Sequence, residues 1–87
     1  MLIVVYSELP NTGCNPIEFD ELVDSSTPLD KVKELCSFDI TCFEFEGDGR
    51  ADYYKCEPGS KHTKEAGMTL YVKGTMNVTI QVLCGNR

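Results

Sequence analysis

Apolar residues occupy the first six positions of the chain without a break. Residues 1–6 are rich in β-branched side chains and are apolar at both alternating positions, a pattern typical of strands buried on both faces. We therefore expect this segment to form a strand inside a sheet rather than at its edge. Pro10, Asn11 and Gly13 follow it and indicate a loop.

Two later segments begin with the same helix-starting pattern. Asn15-Pro16 and Thr27-Pro28 each combine a capping side chain with a proline, and an acidic residue follows three positions after each cap. This order suits a helix N-terminus, where a cap satisfies free amides and an acid favours the positive end of the dipole. Apolar residues then recur at helical spacing. They are Phe19, Leu22 and Val23 in the first segment, and Leu29, Val32, Leu35 and Cys36 in the second.

Glycine-rich turns divide the rest of the chain into β-hairpins. Residues 38–46 and 51–56 flank Gly47-Asp48-Gly49, which is a hairpin signal. Residues 68–73 and 77–83 flank a second turn at residues 74–76. Alternating apolar positions predict its register. The expected pairs are Val72 with Val78, Leu70 with Ile80, and Met68 with Val82. Between the hairpins, residues 57–67 are expected to form a long polar loop.

The length of the chain limits it to one domain. At 87 residues it is shorter than a typical domain of about 100–150 residues, and no linker divides it. We expect a single α+β domain over residues 1–87. Its mainly antiparallel sheet of about five strands would carry two short helices on one face and be stabilised by disulfides.

Five cysteines are spread along the chain without a Cys-x-x-Cys pair, which argues against a thioredoxin-like site or a zinc knuckle. Their odd number leaves at least one cysteine outside any intramolecular bridge. We expect Cys36 to be that residue, because it lies on the apolar face of the second helix. Cys42 would then bridge to Cys56 across the first hairpin, and Cys14 would bridge to Cys84.

Dispersed cysteines in a small domain favour secretion, because disulfides compensate there for a limited core. The alternative is a cytosolic protein whose thiols are buried as small hydrophobic groups. Residues 1–6 are too short for a signal peptide, so secretion would require a leader that has already been removed. The glycosylation sequon Asn77-Val78-Thr79 adds slight support for secretion.

The net charge of −6 comes entirely from the first third of the chain. Residues 1–30 contain six acids and no Lys or Arg. This layout argues against nucleic acid and against an anionic membrane surface as partners, and it favours a basic protein partner. If the two expected helices form a docking surface, its acids are Glu18, Asp20, Glu21, Asp24 and Asp30. The alternative is that these acids are solvated and keep the domain soluble.

The expected polar loop carries the locally basic residues Lys61, His62 and Lys64, which form a competing contact surface for an acidic partner. His62 is the only histidine. Neither a nucleophile motif nor regular zinc-ligand spacing accompanies it. We therefore expect no enzyme activity, no cofactor and no metal.

One nine-residue segment has a spacing that suits a cation. Residues 44–52 place acids at alternate positions around a glycine turn, and a later Asp52 follows. Oxygen ligands at alternate positions suit calcium, and the segment resembles the calcium loops of FG-GAP repeats. That family has several repeats, with shorter acids than Glu44 and Glu46 at the first two ligand positions. We therefore expect a plain hairpin turn with solvated acids and no tight calcium binding.

The function expected from the sequence is a small secreted, disulfide-stabilised binding protein of the toxin, inhibitor or effector type. It would act by contact with another protein, without inserting into a membrane. The alternative is a small cytosolic adaptor or inhibitor with free thiols, of phage or bacterial type.

Overall fold

The regular structure consists of three antiparallel strands and one helix in the described residues. The computed structural model describes residues 1–23, 27–49 and 53–79, with residues 19–23 described by their backbone alone. The strands lie in one sheet in the order β1-β3-β2. The elements are β1 at Leu2–Val23, α1 at Leu29–Phe38, β2 at Glu44–Gly47 and β3 at Tyr53–Asn77.

β1 and β3 pair along almost their whole length to form a two-stranded ribbon. The pairing runs from Leu2 opposite Asn77 to Val23 opposite Tyr53. It is interrupted by register shifts, the first of which lies just after Pro10. Proline has no amide to donate to a ladder, and irregularities of this kind bend a strand and increase its twist. The ribbon can therefore curve instead of running straight.

The short strand β2 is paired along both of its edges, and both partners belong to β3. Phe45 is opposite Tyr71 and also opposite Lys55, and Glu46 shows the same double pairing. A strand residue has one partner on each edge, so β2 lies between an early and a late segment of β3. The ribbon must therefore bend back to flank β2 on both sides.

Neighbouring residues of β2 point to opposite faces of the sheet and belong to separate cores. Phe45 is fully buried on the face covered by α1 and is stacked on Tyr71 at 4.8 Å between ring centroids. Burying a side chain of this size contributes about 1.5–3 kcal/mol. The core around Phe45 also contains Val32, Cys36, Cys42 and Tyr53. The core on the other face contains Cys14, Cys56 and Leu70.

The helix α1 is held to the sheet by a tyrosine of β1. The Tyr6 hydroxyl lies 3.0 Å from the Lys33 carbonyl oxygen, to which it donates, and 3.0 Å from Ser37 Oγ. The Tyr6 ring also packs edge-on against Phe45 at 5.8 Å. Tyr6 therefore connects the middle and the C-terminal end of the helix to the aromatic core.

The fold class expected from the sequence is wrong in both its sheet and its helices. The first expected helix, after Asn15-Pro16, is absent, because these residues continue β1 and pair with β3. Its three apolar residues supply too little local preference to resist a long strand partner. The second expected helix is present as α1. It starts after Pro28, which is its N-cap without a side-chain capping bond, and Asp30 lies in its first turn.

The second expected hairpin is also wrong. Gly74 lies within β3 opposite Val5, and residues 57–67 belong to the same strand instead of a polar loop. The alternating apolar residues of this segment pair with β1, where Leu9 lies opposite Leu70. Positions 80–83, which were expected to pair with them, lie outside the described residues. The antiparallel pairing of β2 with the start of β3 agrees with the first expected hairpin, although residues 50–52, which connect the expected turn to β3, are outside the described part.

The expectation that residues 1–6 lie inside the sheet is wrong as well. β1 is at one side of the strand order, and Leu2 and Val4 have 68% and 41% of their surface exposed. The uninterrupted apolar run therefore does not indicate burial on both faces. It pairs with the last residues of β3, from Tyr6 opposite Lys73 to Leu2 opposite Asn77.

Two glycines of the sheet allow a matched test of this packing. A Cβ at Gly47 would overlap the Tyr53 ring, whereas a Cβ at Gly74 would approach nothing closer than Val5 Cγ2 at 4.0 Å. We expect Gly47→Ala to lower the free energy of unfolding by about 1–3 kcal/mol through overpacking. Gly74→Ala should leave it unchanged or raise it by up to about 1 kcal/mol. Denaturant unfolding of the oxidised protein measures both, and equal effects would contradict the packing described here.

Candidate binding site at the Cys36–Cys42 loop

Two disulfides join Cys14 to Cys56 and Cys36 to Cys42. The expected pairings of Cys42 with Cys56 and of Cys14 with Cys84 are therefore wrong, and so is the free thiol at Cys36. The error has a structural cause: the expected hairpin began at residue 38, but β2 begins only at residue 44. Before it, the chain turns back on the end of α1 and brings Cys42 to Cys36. Cys84 lies outside the described residues.

The two bridges have different roles in the fold. The bridge from Cys14 to Cys56 spans 42 positions of the sequence, and closing a loop of that length stabilises the folded state by about 4 kcal/mol in the chain-entropy view. The bridge from Cys36 to Cys42 spans only 6 positions, so it mainly shapes a local segment. Two disulfides are compatible with an extracellular location.

We name residues 36–42 the disulfide loop. Its backbone leaves α1 at Phe38 and returns to the sheet at β2, and two of its large apolar side chains face outward. Phe38 has 85% of its surface exposed and Ile40 has 87%. Burial of such side chains is favourable, so a loop that holds both of them in water presents an unusual apolar surface to solvent.

A single lysine of β3 holds the backbone of the disulfide loop in place. Lys73 Nζ donates hydrogen bonds to the carbonyl oxygens of Cys36 at 2.7 Å, Asp39 at 3.2 Å and Cys42 at 2.9 Å. The backbone amide of Lys73 also donates to the Phe43 carbonyl at 2.9 Å. An ammonium has three donors, and here all three are used on one loop. The loop is therefore ordered by charge-assisted hydrogen bonds in addition to its bridge.

The carboxylate of Asp39 closes the turn at the tip of the loop. Its Oδ1 accepts hydrogen bonds from the Thr41 amide at 2.9 Å and the Thr41 hydroxyl at 2.7 Å, and its Oδ2 lies 3.0 Å from Lys55 Nζ. These bonds, first those from Thr41 and then the one from Lys55, lower the pKa of Asp39 to about 2. Asp39 is therefore ionised at neutral pH, and the loop carries a negative charge between its two apolar side chains.

The acidic docking surface expected on two helices is not present as such, because the first of those helices is a strand. Glu18 lies in β1, and its carboxylate is 3.4 Å from Lys55 Nζ, so it shares its cation with Asp39 of the disulfide loop. The side chains of Asp20 and Glu21 and the whole of Asp24 are outside the described residues.

The basic residues expected in a polar loop lie in a regular strand. Lys61, His62 and Lys64 belong to β3 and pair with β1, and all three are exposed. His62 Nε2 is 2.8 Å from Glu44 Oε2. The ribbon therefore places the histidine beside the start of β2, and the two lysines remain in solvent.

Two acids of the calcium-like segment are engaged separately. Glu46 is buried, and its Oε1 accepts the amide of Cys14 at 2.8 Å. Burial raises the pKa of Glu46 above its usual value. Glu44 is paired with His62, and Asp52 is outside the described residues. Within residues 1–23, 27–49 and 53–79, no group of three or more His, Cys, Asp or Glu side chains is arranged to hold a metal ion.

Sequence reasoning missed the residues that define this site. Phe38 and Ile40 resemble core residues in the sequence, and Lys73 resembles a solvated residue of a polar strand face. The available signal was the short spacing of Cys36 and Cys42, which permits a local bridge. Such a bridge would have put the apolar residues between them in a turn.

Comparisons of this chain with family models, with curated proteins and with solved structures find no match. None of the helices in the described part of the chain is long and apolar enough to cross a membrane.

Lys73 can be tested by removing its charge while keeping its aliphatic stem. Lys73→Met removes the ammonium donor from three carbonyl oxygens. Those of Cys36 and Asp39 still accept the backbone amides of Asp39 and Cys42, so the Cys42 carbonyl is the most affected, and an unsatisfied buried group costs about 1–3 kcal/mol. We expect the free energy of unfolding to fall by about 1–3 kcal/mol, because the charge-assisted hydrogen bonds to the loop are lost. Lys61→Met, at an exposed position of the same strand, should change it by less than about 0.5 kcal/mol. A similar small effect of both variants in denaturant unfolding would refute the role of Lys73.

The lowered pKa of Asp39 predicts a specific dependence of stability on pH. Its folded value of about 2 lies below the unfolded value of about 3.9. The ionised group therefore stabilises the fold fully above about pH 4, and this contribution is lost as the pH falls toward 2. In unfolding measurements from pH 5 to pH 2, Asp39→Asn should flatten the decline in stability. Thr41→Val, which removes one donor, should flatten it less. An unchanged pH slope in Asp39→Asn would contradict the assignment.

Proposed function

We propose that the protein is a secreted, disulfide-stabilised binding protein of the toxin, inhibitor or effector type, which contacts another protein through its disulfide loop and has no catalytic activity. The observation that carries this proposal is the near-complete exposure of Phe38 and Ile40 on a loop held by a disulfide and by Lys73.

The energetics of the loop support a binding role. Burial of a large apolar side chain contributes about 1.5–3 kcal/mol. Because Phe38 and Ile40 are exposed in the free protein, most of this free energy can be gained when a partner covers them. Association is weakened when a flexible segment must be ordered. The disulfide loop is already ordered by its bridge, by Lys73 and by the turn at Asp39. Its two side chains therefore match the small number of anchors that dominate many protein interfaces.

The charge of the loop favours a protein over a lipid surface as partner. Asp39 lies between Phe38 and Ile40 in sequence and is ionised. Insertion of the loop into a bilayer would have to desolvate that carboxylate, which is costly. A protein can offer apolar pockets for the two side chains together with a hydrogen-bond donor or a cation for Asp39. A basic partner also suits the net charge of −6, because opposite charges speed encounter.

The alternative of a cytosolic adaptor with free thiols has less support. The four cysteines among the described residues are all bridged, and such bridges persist in oxidising compartments. Mass spectrometry of the protein isolated from its source tests this point. Two bridges make the unreduced protein about 4 Da lighter than the reduced one, because each bridge removes two hydrogens. Equal masses would contradict the oxidised form.

The binding role is tested by a pair of double variants. Phe38→Ala with Ile40→Ala removes the exposed apolar surface of the loop. Leu2→Ala with Met76→Ala removes similarly exposed apolar residues, 68% and 49% exposed, from the far end of the ribbon. With a partner isolated from extracellular fluid, we expect the loop variant to raise Kd by 100-fold or more, equivalent to about 2.7 kcal/mol. The control pair should change Kd by less than about three-fold, since most interface positions contribute little.

Folding must be unaffected for this comparison to hold. Phe38 and Ile40 are exposed, so their truncation should change the free energy of unfolding by less than about 1 kcal/mol in total. An intact fold with an unchanged Kd in the loop variant would exclude the disulfide loop as the binding surface.

A further inference from the structure

The sequon Asn77-Val78-Thr79 lies where β3 ends. Asn77 is the last residue of β3, and Val78 and Thr79 follow it outside the strand. Asn77 and Thr79 are exposed, whereas Val78 is half-buried. A triplet of Asn, any residue except Pro, and Thr is the acceptor sequence for N-linked glycans. Both polar groups of this triplet are therefore at the surface, where a bulky sugar can be attached.

The backbone around Asn77 is held in place by contacts that do not use its amide nitrogen. The Val78 amide donates a hydrogen bond to the Met1 carbonyl at 2.7 Å, and the Val78 carbonyl accepts one from the Met1 amine at 3.2 Å. The same amine lies 3.4 Å from Asn77 Oδ1, which accepts from it. Among the described residues, Asn77 Nδ2 has no hydrogen-bond partner. This nitrogen is the atom to which a glycan is attached.

The ribbon surface beside Asn77 is apolar and uncharged. Asn77 lies directly opposite Leu2 in the β1–β3 ladder, and side chains at opposed positions share a face with Cβ atoms about 4.5–5.5 Å apart. Val4 is on the same face, two residues further along β1. Leu2 is 68% exposed and Val4 is 41% exposed, and residues 1–7 and 74–79 contain no charged side chain. This end of the ribbon therefore has apolar surface and no charge of its own to keep it in water.

We propose that Asn77 carries an N-linked oligosaccharide, which covers Leu2 and Val4 at this end of the ribbon. The donor is a lipid-linked oligosaccharide pyrophosphate of the secretory pathway, so the inference rests on the secretion included in the proposed function. In the transfer, the amide nitrogen of Asn77 loses a proton and forms a bond to the anomeric carbon of the first sugar. The bond from that carbon to the pyrophosphate oxygen breaks, and the lipid pyrophosphate leaves with the electron pair. A hydrophilic glycan at this position solvates the uncharged end of the ribbon.

The test is mass spectrometry of the protein isolated from its source, before and after treatment with a peptide-N-glycosidase. This enzyme hydrolyses the bond to the sugar and leaves an aspartate at the modified position. We expect the treatment to lower the intact mass and to leave aspartate in place of Asn77 in its peptide. An unchanged mass with an unmodified Asn77 would overturn the inference. The same spectra report the disulfides. A bridged protein without a glycan contradicts this inference alone, whereas a protein without bridges contradicts the proposed secretion.

Matched threonine variants assign the modification to the sequon. A cleavable leader directs the full chain through the secretory pathway of a eukaryotic host, so this test does not depend on where the native protein is located. Thr79→Ala keeps Asn77 but destroys the motif, and it should abolish glycosylation. Thr75→Ala removes an exposed threonine of β3 outside the motif and should leave the glycan in place. An unmodified parent protein, or equal glycosylation of the two variants, would overturn the assignment.

The position of the glycan over the ribbon is tested by NMR of the glycosylated protein. We expect nuclear Overhauser effects between the first sugar and the methyl groups of Leu2, which lies opposite Asn77 on the same face. Met76 is also exposed, but as the neighbour of Asn77 in β3 it projects from the other face and should show none. Contacts of the sugar with neither residue, or equal contacts with both, would contradict the covering of Leu2 and Val4.

Discussion

The double pairing of β2 is the constraint on which the rest of the structure depends. Both segments of β3 that flank β2 are antiparallel to it, so they run in the same direction. A strand can flank another in this way only if the chain between its two segments travels around and returns. The β1–β3 ribbon therefore curves, and the four residues of β2 become the centre of the fold. Phe45 and Glu46 point from that centre into opposite cores.

This topology explains which elements can be inferred from the sequence. α1 is found because its signals are local: a proline at its start, an acid in its first turn and apolar residues at helical spacing. The pairing of β2 with the start of β3 is found because a glycine turn separates the two segments. The rest of the expected fold is wrong because the ribbon depends on contacts between segments that are distant in the sequence. Gly74 resembles a turn residue, but a long partner strand makes it part of a ladder.

The residues of the candidate site were likewise predictable only where local sequence determines their position. The acidic excess of residues 1–30 is evident from the sequence, but its placement on helices depended on a helix that does not form. The exposure of Phe38 and Ile40 could not be read from their residue types, since apolar residues occur on surfaces as well as in cores. In the sequence, Lys73 is a polar position in an alternating segment, a pattern typical of a solvated strand face. Its long stem instead carries the ammonium to the disulfide loop.

The interactions that order the disulfide loop determine whether its two large apolar side chains are buried or exposed. A loop packed by its own apolar residues would have buried Phe38 and Ile40 to gain its order. Here the order comes from a bridge and from an ammonium on three backbone carbonyls, which involve neither side chain. The interactions that order the segment thus leave Phe38 and Ile40 exposed, as the proposed contact with a partner requires. The long bridge at Cys14 supports this arrangement, because it stabilises a fold whose two small cores leave large apolar groups exposed.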